Sequence, residues 1–326
     1  MTENSSCVLH ACKIEANTSI DLSATEVSAC LSDHDALTWV HLDLTAKDCR
    51  AWLEREVSYL DPILIDALTA DETRPRLLEM ENGVLLILRG INLNENTEPE
   101  DMISIRLWVD DSRIISLQRR PLKALRDIRG RLSAGRGLGN SGEFVTMLTA
   151  RLFERMEPTF SALDDRLDRL EEEVIDSPTT DTRQRITSIR KEAILFRRYI
   201  APQKDVLAHL RSCDQTWLKL IDRRRLQESL DHVTRYIEDL DVIRERAQVV
   251  KDELVNALSD RINRNMYMLS VIAAIFMPLG FLTGLLGINV GGIPGADNGG
   301  AFYIFCGILV LIIALQVVFF KKLKWF

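Results

Sequence analysis

The C-terminal end of the chain restricts the fold most. Asp297 is the only charged residue between Arg264 and Lys321. Two apolar blocks fill that interval, Tyr267 to Ile288 and Ala301 to Phe320. As a helix the first block rises roughly 33 Å, enough to cross the hydrocarbon core of a bilayer, and the second is of similar length. Between them NVGGIPGADNGG, Asn289 to Gly300, is short and glycine-rich, as a tight loop requires. The expectation is a membrane hairpin that follows a long polar chain.

Basic residues set its orientation. Arg261 and Arg264 precede the first block, Lys321, Lys322 and Lys324 follow the second, and the loop holds no Lys or Arg. The positive-inside rule then puts both ends in the cytoplasm and the loop outside. The first thirty or so residues are polar, without the apolar core of a signal peptide. A net charge of −7, carried by the polar part, argues against a nucleic-acid binder. The 6 cysteines form no CxxC pair, and all but Cys306 lie in the part expected to be cytoplasmic, so free thiols are expected.

Residues 1–140 read as a mixed α/β domain. Leu37 to Leu44 alternates like a strand, Ala46 to Tyr59 is helical in composition, and Asp61-Pro62 resembles an N-cap with proline at the first helical position. RPRLLEME, GVLLILRGI, MISIRLWVD and RIISLQR read as three or four antiparallel strands, with Asn82-Gly83 as a hairpin turn. Pro121 to Leu132 is a short basic helix. Gly137, Gly139 and Gly142 match GxGxxG, but a helix precedes them where the dinucleotide fingerprint needs a strand, so the segment reads as a connector with Asn140 or Ser141 capping the next helix.

Residues 141–212 read as an acidic antiparallel helical hairpin, one helix from Glu143 to Ile175 and one from Thr182 to Arg211 around the turn Asp176 to Asp181. From Trp217 onward one helix is expected to reach Ile288 without a break. Leu226, Leu230, Val233, Ile237, Leu240, Ile243, Ala247, Val250, Leu254 and Ala257 recur at spacings of three and four, close to a coiled-coil repeat. The segment divides into a stalk, 213–265, and a first span, 266–288. A loop at 289–300, a second span at 301–320 and a basic tail at 321–326 follow. A stiff helix joining a polar domain to a span is suited to passing movement between them.

Two spans cannot enclose a water-filled path, so any conduit needs several copies around an axis. Gly280 and Gly284 give the first span a GxxxG spacing, with Gly287 beyond, which suits close helix approach; simple helix packing accounts for it equally. Asp252, Asn256, Asn263, Met266, Ser270, Ala273, Met277, Gly280 and Gly284 share one face, acidic, then amide, then apolar, then glycine. Such a face suits a ring-lined conduit with a dewetting constriction; the plainer reading is a solvated face that ends in an ordinary span.

The segment Met277-Pro278-Leu279-Gly280-Phe281, with Gly287-Ile288-Asn289 at the end of the span, resembles the CorA-like two-transmembrane metal ion transporters, whose first span ends in Gly-Met-Asn. FFKKLKWF is similar to the family's basic aromatic tail, and Glu72-Thr73-Arg74-Pro75-Arg76 before the Gly83 to Arg89 strand is similar to its cytoplasmic domain. Gly-Ile-Asn followed by Gly291-Gly292-Ile293-Pro294-Gly295 looks like the zinc-transporting ZntB branch.

The resemblance implies a funnel-shaped homopentamer with an axial pore in a bacterial inner membrane. Each subunit has an α/β cytoplasmic domain, a long stalk helix and a two-helix transmembrane hairpin. It implies Zn²⁺ as the transported ion, with proton-coupled uptake favoured over export, and no cofactor. Asn289 then receives a hydrated ion at the outer mouth, with Gly287 and Ile288 completing the motif. Met277, Leu269 and Met266 line the narrow apolar part, Gly280 and Gly284 continue its lining, Asn263 marks the inner end, and Asp252 lies where magnesium-branch members place an acidic ring. Gly280 stands where that branch often has threonine.

Zinc favours Cys, His and carboxylate ligands, and the first span offers none, so a hydrated cation passing polar rings fits better than dehydrated binding. The same absence leaves no obvious proton carrier in the span. Cys7, His10 and Cys12 form a possible soluble zinc set, though the segment reads equally as an edge strand. His41 and Asp43, and Asp33-His34-Asp35, read as surface features. His209 and His232 read as isolated, and Glu171 to Glu173 as a solvated helix face. No Walker lysine motif, HExxH or nucleophile elbow is present, so an enzyme is not expected. The alternatives are a Mg²⁺ or Co²⁺ channel of the CorA kind, and a membrane-anchored coiled-coil scaffold.

Overall fold

A computed structural model describes residues 7–15, 18–33, 35–71, 73–176, 179–288, 295 and 299–322. His34, Glu72, Pro178, Asn289, residues 290–294, Asp297 and the tail at 323–326 lie outside the described residues. The chain divides into two compact units, Met1–Asp252 and Glu253–Phe326.

The first unit begins with β1 (Val8–Glu15), β2 (Thr18–Asp21), α1 (Ala24–Ser32), β3 (Leu37–Asp43), α2 (Cys49–Glu56) and α3 (Pro62–Thr69). A meander follows, β4 (Arg76–Met80), β5 (Gly83–Gly90), β6 (Ile103–Val109) and β7 (Arg113–Gln118). The strands form one 7-stranded sheet in the order β2-β1-β3-β7-β6-β5-β4. All pairs are antiparallel except β3 with β7. The sheet therefore exceeds the antiparallel set expected from the sequence. β1 begins just after Cys7 and holds His10 and Cys12, and a bulge between Val8 and His10 breaks its alternation.

The near-continuous apolar runs of β5 and β6 have a physical cause, because both faces of the sheet are covered. On one face Val27 and Leu31 of α1, Trp52 and Leu53 of α2, and Leu64 and Leu68 of α3 pack on Val40, Leu85, Ile87 and Ile115. On the other, Phe144 stands edge-on to Trp39 with ring centroids 5.1 Å apart. Asp61 caps α3 by accepting from the Ile63 N–H at 2.8 Å, with Pro62 at the first helical position.

The glycine at 83 acts differently from the hairpin signal it resembles. Met80 pairs with Gly83, so the loop is Glu81-Asn82 and Gly83 already belongs to β5. A Cβ there would lie 2.6 Å from the Val109 carbonyl oxygen and 2.8 Å from the Trp108 ring, so glycine is needed for close approach of β6.

His41 is not a surface feature. It is buried on β3, with Nδ1 2.8 Å from the Ser116 hydroxyl oxygen. Burial pulls its pKa down to about 4 against the hydrogen bonds and carboxylate that favour its charge. A folded-state pKa below the unfolded value near 6.5 means that this stabilisation is complete above about pH 6.5 and is lost as pH falls toward 4. The loss amounts to on the order of 3 kcal/mol. Denaturant unfolding followed by tryptophan fluorescence should show this slope, and His41→Gln should flatten it.

The helical part of the first unit comprises α4 (Lys123–Ser133), α5 (Ser141–Glu154), α6 (Glu157–Asp176), α7 (Thr180–Ser212) and the start of α8 (Leu220–Gly287). The single helix expected from Glu143 to Ile175 is two, because Pro158 lacks the N–H that a continuous helix needs and sits in the first turn of α6 instead. Asn140 caps α5, accepting from the Glu143 N–H at 2.7 Å. Gly142 is explained by packing: a Cβ would lie 2.6 Å from an Asp222 oxygen and 2.8 Å from the Trp217 carbonyl oxygen. No phosphate is needed to account for it.

α6 and α7 are antiparallel, as Glu173 pairs with Arg185 near their turn and Arg166 with Glu192 farther from it. On α8 the buried seam is Leu226, Ser229, Val233, Tyr236, Leu240, Ile243, Ala247 and Val250, in strict three-four alternation. Ser229 and Tyr236 replace the expected Leu230 and Ile237, because Tyr236 meets Phe160 of α6 at 5.3 Å. Part of the acidic run on α6, though largely exposed, is paired. Arg246 gathers Asp164, Asp168 and Glu171 at 2.9, 2.5 and 2.6 Å.

The second unit holds the rest of α8 and α9 (Ala301–Lys322). Both helices are long and apolar enough to cross a membrane.

Candidate functional site

The spans pack along one stripe of each helix. Val271 is buried and Ala274, Ile275, Leu279 and Leu282 are half-buried on α8. Phe305, Leu309, Ile312 and Gln316 are half-buried and Phe320 is buried on α9. Each set recurs every three or four residues, as a helix contact requires. Cys306 lies half-buried beside this stripe.

A polar contact joins the two helices. Pro278 has no N–H, so it cannot bond the Ala274 carbonyl one turn earlier. The Gln316 side-chain amide donates to that oxygen at 3.2 Å. In hydrocarbon, where no water replaces a missing partner, this bond satisfies the group that the proline leaves open. Charge and hydropathy gave no indication of a role for Gln316; the signal was a lone amide in an apolar run with a proline in the preceding span.

The candidate face turns away from this contact. Asn256, Asn263, Met266, Ser270, Ala273, Met277, Gly280 and Gly284 are all exposed, Met266 at 62% and Met277 at 72%. Leu269, Gly287 and Ile288 flank it and are exposed as well. Asp252, at the end of the first unit, is exposed and accepts from Gln248 Nε2 at 2.9 Å. Asn289 lies outside the described residues. A Cβ added at Gly280, Gly284 or Gly287 would meet nothing within 4 Å. Among the described residues nothing therefore requires glycine there. The hydroxyls of Ser270 and Thr283 donate to the carbonyls of Met266 and Leu279, both at 2.9 Å, which covers their donors within the helix.

The soluble zinc set expected from the sequence does not converge. Cys7 packs in the core layer with Ala11, Val40 and Cys49. His10 stands edge-on to Trp39 at 5.1 Å, on the other side of the sheet. Burial, with a smaller push from Asp21, raises the Cys12 thiol up to about 12. His10 and Cys12, two apart on β1, share the Trp39 side of the sheet, whereas Cys7, before the bulge, packs on the opposite side, so the three do not meet.

Among the described residues, three other ligand atoms do cluster. One each from Glu79 of β4, His209 of α7 and Cys213 just beyond α7 lie within 4.8 Å of one another. Burial opposes ionisation of Glu79, but hydrogen bonds from the Cys213 thiol, the Asp214 N–H and Gln215 hold its carboxyl below the usual range. Burial and the Glu79 carboxylate push the Cys213 thiol up to about 12. His209, read from the sequence as isolated, has Nε2 3.6 Å from Glu79 Oε2. The four-residue spacing from His209 to Cys213, one helical turn, was the signal available.

Comparison with known proteins yields consistent matches. Residues 34–322 match the model of a family described as CorA-like Mg²⁺ transporter protein. A divalent cation transporter, CmaX, of Pseudomonas aeruginosa is 38% identical over 88% of this chain and 87% of its own. The zinc transport protein ZntB of Yersinia enterocolitica is 34% identical over the same shares. The structure of full-length CmaX matches with a TM-score of 0.85 at 33% identity, covering 100% of both chains. The CorA magnesium transporter of Methanocaldococcus jannaschii has the same fold, with a TM-score of 0.81 at 18% identity over 98% of this chain and 99% of that one.

Proposed function

The chain belongs to the CorA-like Mg²⁺ transporter family, a divalent cation transporter and not an enzyme, and we propose that its cargo is Zn²⁺, taken up with protons through an axial homo-oligomeric pore. The observation that carries this reading is the uncharged face of α8 from Asn263 to Gly284, which α9 leaves uncovered along its whole length. Zinc is favoured by the relatives named zinc transport protein, at 32 to 34% identity, and by the Gly287-Ile288-Asn289 motif.

Two spans do not close a pore, so several copies, five by family resemblance, line an axis with α8 and face lipid with α9. The open space at Gly280, Gly284 and Gly287 suits such close approach of neighbouring copies. In this assembly residues 1–140 with α5 form the cytoplasmic α/β domain, α6 and α7 the acidic hairpin within 141–212, and 213–265 the stalk. Residues 266–288 form the pore helix, 289–300 the periplasmic loop, 301–320 the outer helix and 321–326 the tail. Both termini are cytoplasmic and the membrane is a bacterial inner one.

The mechanism follows from the residue types. The Asn289 amide oxygen receives the hydrated ion. The rings of Met277, Leu269 and Met266 form a constriction that gates by dewetting, Asn263 restores polar contact, and Asp252 attracts cations below. No carboxylate or imidazole lies between Asn265 and Ala296, so the ion keeps its water and the proton travels along that water.

Flux into proteoliposomes holding the purified protein tests this, with Zn²⁺ and Mg²⁺ each measured with and without a pH gradient. The expected result is Zn²⁺ entry that accelerates under an inward proton gradient and is lost in Asn289→Ala. Zinc flux indifferent to protons removes the coupling. Magnesium flux without zinc flux replaces the cargo with that of the CorA kind. No flux from a folded oligomer returns the membrane-anchored scaffold.

A further inference from the structure

We propose that Glu79, His209 and Cys213 form a binding site for Zn²⁺, or another cation of its borderline class, that shares no residue with the α8 face. The three come from two elements brought together by folding. Glu79 lies on β4, the edge strand of the sheet, where no further strand covers it. His209 and Cys213 are one helical turn apart at the end of α7, and the Cys213 N–H bonds the His209 carbonyl at 3.0 Å. The spacing along the helix therefore presents both side chains to one side, toward the strand.

The distances suit a tetrahedral ion. Bonds of about 2.0–2.3 Å at tetrahedral angles put donor atoms about 3.3–3.8 Å apart. His209 Nε2 and Glu79 Oε2 are 3.6 Å apart, and all three donor atoms fall within 4.8 Å. The donor set is sulfur, nitrogen and oxygen, which favours zinc over magnesium, a cation that takes oxygen ligands. On binding, the Cys213 thiol proton that now bonds Glu79 leaves to solvent and the metal takes its place. One thiolate and one carboxylate then balance the 2+ charge, with neutral imidazole as third ligand and water as fourth.

The surroundings are arranged for this. The Asp214 N–H donates to Glu79 Oε1 at 3.0 Å, fixing the carboxylate while Oε2 faces His209. Arg223 is held by the carbonyls of Arg211 and Cys213, each at 2.6 Å, and its charge favours the thiolate. The C-terminal end of α7 carries the negative pole of the helix dipole, which favours a cation there. His209 is half open to solvent, so an ion has a way in, whereas Cys213 is buried beneath it.

Co²⁺ titration of the full-length protein in detergent, kept reduced, tests the site at equilibrium without any gradient. Failure here is therefore distinguishable from failure of the transport reading. The expected result is a near-ultraviolet thiolate-to-Co²⁺ charge-transfer band that saturates at one ion per chain. Zn²⁺ should remove the band and Mg²⁺ should not. Cys213→Ser should abolish it, whereas Cys12→Ser and Cys49→Ser should retain it. His209→Ala, a substitution at an exposed position, should weaken Co²⁺ binding at least about tenfold without loss of fold. Absence of the band from the wild-type protein, its survival in Cys213→Ser, or an unchanged Co²⁺ affinity in His209→Ala would each overturn the assignment.

Discussion

Gly284→Leu is expected to reduce divalent-cation flux to that of empty liposomes while each chain keeps its fold. Inside the chain the change is benign. A Cβ at Gly284 would meet nothing within 4 Å, and leucine is favoured over glycine in a helix by about 1 kcal/mol. Local energetics therefore predict a neutral or slightly stabilised helix. Loss of flux would then arise between copies, where an added isobutyl group narrows the axis or forces neighbouring helices apart. Leucine at Ile272, which is exposed on α8 but off this face, is the control and should leave flux unchanged. Circular dichroism and chain number by light scattering would separate a blocked pore from a lost assembly. Undiminished flux in Gly284→Leu would mean that this face is neither the conduit nor a contact between copies.

Gln316→Leu should destabilise the transmembrane hairpin by about 1–2 kcal/mol, and the penalty should largely vanish in a Pro278→Ala background. The reasoning is one of hydrogen-bond accounting. With proline at 278 the Ala274 carbonyl has no helical partner, and Gln316 Nε2 supplies one at 3.2 Å. Leucine at 316 leaves that oxygen bare in hydrocarbon. Alanine at 278 restores an N–H one turn along, so the carbonyl is satisfied without Gln316. A double-mutant cycle read by resistance to denaturing detergent isolates the coupling. Equal penalties in both backgrounds would show that Gln316 acts through packing alone.

The two predictions draw on different sources. The face of α8 was legible in the sequence because a face is a property of one helix: positions three and four apart stay together whatever the rest of the chain does, whereas its exposure depends on where α9 packs. The same holds for the spans, since a run without charge is legible residue by residue. Long-range pairs were not legible in this way. Gln316 and Ala274 are held together only by the hairpin, and Arg246 finds Asp164, Asp168 and Glu171 only because α8 lies along α6.

The metal ligands show the same division most clearly. Cys7, His10 and Cys12 are near in sequence, yet Cys7 packs on one side of the sheet while His10 and Cys12 lie on the other. Glu79 is far in sequence from His209 and Cys213, yet the sheet edge and the end of α7 bring them within reach. Glycines divide likewise: the hairpin expected at Asn82-Gly83 is present but one residue earlier, with Gly83 in β5 for close approach to β6, and the phosphate-loop pattern at Gly142 gives way to packing against Asp222.

Sequence alone was enough for the two apolar helices, the long helix and which residues share its face. In each case the free energy is a sum over neighbours in the chain, whether of transfer into lipid or of helix formation. Tertiary structure was needed for the register of the seam at Tyr236, the burial of His41, the partner of the Ala274 carbonyl and the clustering of Glu79, His209 and Cys213. Those depend on which distant surfaces share a dry interior, where one hydrogen bond or one added methyl group is worth more than any local preference.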